Sequence, residues 1–142
     1  MNQPTTGRRF GRSVFAVLAG IAAGIAITVA TDFLLHAIHV FPPWDKRVPD
    51  ALLVLATVYR TAYAVGASFL TAYLAPNRPI QHAMIGGWLA FVVSILGAVT
   101  TWNSGPAFQT HWYPVALIIL ALPQAWLGGW LRVRQLIASQ AG

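Results

Sequence analysis

From Pro79 to Leu131 the chain carries no Asp, Glu, Lys or Arg, and only the break Asn103-Ser104-Gly105-Pro106 divides that stretch. Two helices of that composition have no charged face to turn toward water, so the hydrocarbon of a bilayer is their natural solvent. The rest of the chain extends the pattern. A bilayer core of about 30 Å needs roughly 20 apolar residues per helix. Such segments run from about Ser13 to Val40, Asp50 to Ala75, Ile80 to Thr101 and Trp112 to Leu131. Phe41-Pro42-Pro43-Trp44-Asp45 and Ala75-Pro76-Asn77-Arg78-Pro79 supply turn chemistry between the first three.

Composition closes off the alternatives. Hydrophobic residues make up 57% of the 142 and charged residues 8%, against about 25% charged in a soluble domain. A water-soluble globule lacks the polar surface it would need, and disorder requires the opposite composition. There is no cysteine, so disulfides and thiolate sites are excluded. Too few residues lie outside the apolar runs for a separate catalytic domain. The uncharged run from Val14 to Thr31 exceeds the ~7–15 residues of a signal-peptide core, so Arg8, Arg9 and Arg12 read as a topology anchor.

The expected fold is all-α: an integral membrane, antiparallel four-transmembrane-helix bundle with both termini cytoplasmic. Residues 1–12 form a basic N-terminus, 13–136 one transmembrane domain and 137–142 a short tail. The positive-inside rule sets the direction. Arg8, Arg9, Arg12, Arg78, Arg132 and Arg134 fall on the inner side, with Lys46 and Arg47 on the outer. The net charge of +6 then faces anionic headgroups of a cell (inner) membrane, and no nucleic-acid role is implied. Trp44, Trp102, Trp112 and Tyr113 form an outer aromatic belt, with Trp126 and Trp130 near the inner surface.

Helices in lipid meet through small and polar residues. On the second helix Ala56, Thr57, Arg60, Ala64, Ala67, Ser68 and Thr71 share one side, with Leu55, Val58, Val65 and Phe69 toward lipid. On the third, Gly87, Ala90, Ser94, Gly97 and Thr101 do the same. Gly20 and Gly24 mark the packing face of the first helix, and Ala121, Ala125 and Gly128 or Gly129 that of the fourth. Pro123 deprives the Ile119 carbonyl of its helical partner and predicts a kink.

Two full charges fall within the spans, Asp32 and Arg60. Asp32 lies nine residues before Phe41 and Arg60 ten after Asp50, so at ~1.5 Å per residue both are roughly 14 Å below one helix end. Antiparallel neighbours bring them level, and an ion pair follows. It serves either as a register-setting salt bridge or as a functional site, the two roles open to intramembrane charge. Thr28, Asp32, His36 and His39 are spaced i, i+4, i+8 and i+11, within an 80° sector of the first helix. With His111 on the same side, Asp32, His36 and His39 have the ligand types for a metal or a proton relay. A bis-histidine haem between His36 and His111 is the less favoured variant.

No motif names a reaction. The composition favours a non-catalytic membrane subunit or assembly protein, whose partners are the bilayer and a second copy or another membrane protein. One alternative is a small homo-oligomeric transporter using Thr28, Asp32, His36 and Arg60. The other is a membrane enzyme or redox protein with a ligand at the outer histidines. No cofactor is expected outside those histidine variants.

Overall fold

A computed structural model describes residues 6–105 and 110–141, with side chains described from Arg9 onward. The Pro106 end of the third break, the Arg8 side chain and the extreme termini lie outside what is described. Four helices make up the fold: α1 (Thr6–Ala37), α2 (Asp50–Leu74), α3 (Pro79–Thr101) and α4 (Trp112–Gln140). Each is long and apolar enough to cross a membrane, and the chain is a multi-pass membrane protein by that measure.

The helix ends follow local chemistry. Pro79 opens α3 at its first position, where its missing amide costs nothing. At the end of α1, Val40 N–H donates to the Leu35 carbonyl and His39 N–H to that of His36. That is a Schellman closure with His39 at the left-handed position, φ 58°. The first helix therefore stops before His39 rather than at Val40. At the other extreme α1 and α4 run past the expected Ser13 and Leu131, so the basic segment from Thr6 to Arg12 and most of the C-terminal tail are helical.

Contacts between helices fix their directions. Gly20 lies against Thr71 and Ala67, Gly24 against Ala67, and Asp32 against Arg60. Partner numbers on α2 fall as those on α1 rise, so the two are antiparallel. On α4, Gln124 reaches Thr61, Gly128 meets Ser68 and Arg132 covers Tyr73, so α4 is parallel to α2. Gly87 meets Ala125 while Gly129 meets Ile80 and Ala83, which makes α3 antiparallel to α4.

The interior is built of small residues. Ala16, Ala56, Ala72, Ala83, Ala98, Ala121 and Ala125 are buried, while Val58, Val93 and Val99 are among the large apolar residues left outside. Such inversion suits a chain whose surroundings are as apolar as leucine, because close backbone approach rather than apolar burial holds helices together there.

Two packing expectations need correction. Val65 and Phe69 do not point away from the protein. The Val65 carbonyl and Phe69 amide flank Gly128, because α2 touches all three other helices and has more than one contact face. Gly97 is not a packing glycine either: nothing lies within 4 Å of a Cβ built on it. It borders a cavity together with Ser94. Pro123 lies inside α4, which continues through it unbroken.

Candidate functional site

The cavity has a volume of about 400 Å³ and opens at the end of the protein that carries the α1–α2 loop. All four helices contribute to it. Its inner limit is polar: Asp32 from α1 with Tyr59 and Arg60 from α2. Leu53, Ala98, Pro114 and Leu117 provide apolar wall, and Phe41, Trp44, Lys46 and Val48 of the loop stand at the mouth.

Asp32 receives two hydrogen bonds. The Tyr59 hydroxyl donates to Oδ1 and the Arg60 guanidinium donates to Oδ2. Antiparallel packing of α1 on α2 makes this contact possible, and the neighbouring Thr31 and Tyr63 hydroxyls meet at 3.1 Å across the same seam. The Asp32 side chain is 16% exposed and that of Arg60 33%, so the pair sits at the cavity boundary rather than in sealed interior. Arg60 is also 6.0 Å from the centre of the Tyr113 ring, within reach of a cation–π contact.

Among the described residues, hydrogen-bond accounting leaves three buried side-chain groups over: Arg60 Nε, Thr110 Oγ1 and Arg132 Nε. Arg60 and Thr110 line the cavity, whereas Arg132 does not. Buried polar groups are normally satisfied, so each such exception calls for an explanation.

The mouth is aromatic. The His36 ring stacks on Trp44 with centroids 3.5 Å apart and planes 7° from parallel, and Phe41 packs edge-on against it at 5.4 Å. His36 Nδ1 lies 2.7 Å from the Asp32 carbonyl. A carbonyl only accepts, so Nδ1 carries the proton and Nε2 is the nitrogen left over.

The histidines do not converge. Among the described residues, no three His, Asp or Glu side chains form a group that could hold a metal ion. The Schellman turn takes His39 off the helical sector that Thr28, Asp32 and His36 share. His111 stacks on Trp102 at 4.2 Å and donates from Nε2 to its carbonyl, outside the cavity lining. The metal, haem and relay expectations built on His36, His39, His111 and Asp32 therefore lack a common centre. Thr28 is half-buried and does not line the cavity.

Sequence reasoning placed Trp44 and Tyr113 in an aromatic belt and gave Thr110 no role. Nothing local to Thr110 marks it, since it becomes part of the site only when the start of α4 approaches α2. Tyr59 was visible as a hydroxyl one residue from Arg60. No protein-family model, curated protein or solved structure matches this chain.

Proposed function

We propose that this chain is a small-molecule carrier of the cell (inner) membrane, with both termini cytoplasmic and its cavity open toward the outer leaflet. The cavity, with Asp32, Tyr59 and Arg60 at its inner limit, is the observation that carries this reading. Its volume of about 400 Å³ falls within the ~300–1,000 Å³ of small-molecule sites, and apolar walls with a few convergent polar groups are their usual construction. Its ligand is amphipathic, with an apolar body against Leu53 and Leu117 and a polar head near Arg60.

Binding rather than catalysis fits the groups present. Nδ1 of His36 is spent on the main chain, and both Asp32 oxygens already accept hydrogen bonds. Among the described residues that line the cavity, no base stands ready beside a nucleophile, as covalent catalysis requires. Of the roles compatible with the composition, a carrier thus has more support than a purely structural subunit.

Native mass spectrometry of the protein released from its own membrane tests this. The wild type is expected to retain a small molecule that Gly97→Phe loses, because the added ring would occupy the cavity without meeting atoms near its Cβ. Equal retention by both proteins, or retention by neither, would defeat the reading.

A further inference from the structure

Independently of the cavity and of the carrier reading, we infer that Arg132 binds the headgroup of one acidic phospholipid, in the leaflet that meets the α2–α3 loop. The Arg132 guanidinium carbon stands 4.4 Å from the centre of the Tyr73 ring, and Nη1 donates to Gln135 Oε1 at 2.6 Å. A ring from α2 thus holds one face of the group, and the next turn of α4 holds one corner. Ordering a free arginine costs side-chain entropy on binding, and here the group is already fixed. Nε has no partner, and Nη2 makes no hydrogen bond among the described residues. These adjacent donors form an edge that suits two oxygens of one phosphate.

Depth points to a lipid as the source of that phosphate. Arg132 lies 20 residues beyond Trp112, the first residue of α4, which is ~30 Å of helix and about the thickness of a bilayer's hydrocarbon core. With Trp112 at one surface, Arg132 reaches the headgroups of the other. Its platform faces outward, since Tyr73 is 52% exposed.

Charge selects the kind of headgroup. The chain's acidic residues are Asp32, Asp45 and Asp50. The last two stand at the α1–α2 loop end, and Asp32 is engaged by Tyr59 and Arg60. No carboxylate therefore stands at the α2–α3 loop end, where Arg9, Arg12, Arg78 and Arg134 accompany Arg132. Phosphatidylethanolamine would bring its ammonium into that field unpaired. Phosphatidylglycerol brings the same phosphate with no ammonium, and basic segments at a membrane surface favour such lipids.

The test is native mass spectrometry of the full chain in mild detergent, titrated with dioleoyl phosphatidylglycerol or dioleoyl phosphatidylethanolamine. The wild type is expected to bind its first phosphatidylglycerol at least about tenfold more tightly than its first phosphatidylethanolamine. Arg132→Gln should abolish that preference. Arg12→Gln removes the same charge from an exposed position and should change it by less than about twofold. Arg132→Lys keeps the charge without the fork and should lose about fivefold. It decides the matter if Arg132→Gln folds poorly. Equal first-copy affinity for the two lipids would overturn the proposal. So would an Arg12→Gln loss as large as that of Arg132→Gln, the mark of a diffuse field, or unchanged binding by Arg132→Lys. Displacement of the bound lipid by inorganic phosphate would assign the site to a soluble anion instead.

Discussion

The Tyr59 hydroxyl donates to one oxygen of Asp32 and leaves the other to Arg60, so a single carboxylate on α1 holds two consecutive residues of α2. That arrangement makes Asp32 the shared member of the site. Removing it strands a guanidinium, whereas removing Tyr59 strands nothing charged.

Asp32→Asn is accordingly expected to destabilise the protein by about 2 kcal/mol, an amount tempered by the partial exposure of Arg60. Asp32→Asn combined with Arg60→Met should recover much of that loss, because the stranded charge disappears with its partner. Thermal unfolding of the three variants in one detergent makes a double-mutant cycle. Strictly additive losses would show that the two side chains do not stabilise each other.

Glycines sort by what a side chain would meet. A Cβ on Gly128 would lie 2.6 Å from Ser68 Cβ and 2.7 Å from the Phe69 amide nitrogen, whereas one on Gly86 meets nothing within 4 Å. Gly128→Ala should therefore force α2 and α4 apart and lower the melting temperature. Gly86→Ala should be neutral or stabilise by up to about 1 kcal/mol through helix propensity. Reversal of that order would contradict the packing of α4 on α2.

His39 occupies a left-handed position that glycine ordinarily fills. His39→Gly should raise stability by about 1 kcal/mol, the cost of placing a Cβ there, and leave ligand binding intact. A loss of binding would restore His39 to the site.

Orientation is open to direct chemical measurement, since the chain has no cysteine. Asn103→Cys and Ser139→Cys each place a thiol at an exposed position. A membrane-impermeant maleimide added to intact cells should label the first and not the second. The opposite pattern would invert the proposed topology.

Gln124 donates to Thr61 Oγ1 at 2.9 Å, joining the residue after Pro123 to the one after Arg60. Gln124→Leu should cost about 0.6 kcal/mol, the average for such bonds between membrane helices, read as a small drop in melting temperature. A loss several times larger would show that this bond supports the Arg60 site as well as the helix pair.

Composition and breaks alone determined that this chain forms four apolar helices, because uncharged runs of that length leave few alternatives. They also put Asp32 and Arg60 at matching depth, since depth is a count of residues along antiparallel helices. Gly20, Gly24 and Gly87 were legible for a similar reason: small residues at helical spacing mark a contact face. Tertiary structure decided everything that depends on which face meets which neighbour. Val65 and Phe69 look outward by periodicity, yet their backbone receives Gly128, because the central helix packs on several sides. Gly97 looks like a contact and borders a cavity, because α3 stands clear of its neighbours there. His39 keeps helical spacing in the sequence, but a left-handed closure ends the helix before it. Tyr113 reaches Arg60, and Thr110 reaches the same cavity, only through the approach of α4, which no local pattern records. Spacing along one helix is a local property, whereas a cavity is what remains among several helices once their contacts are made.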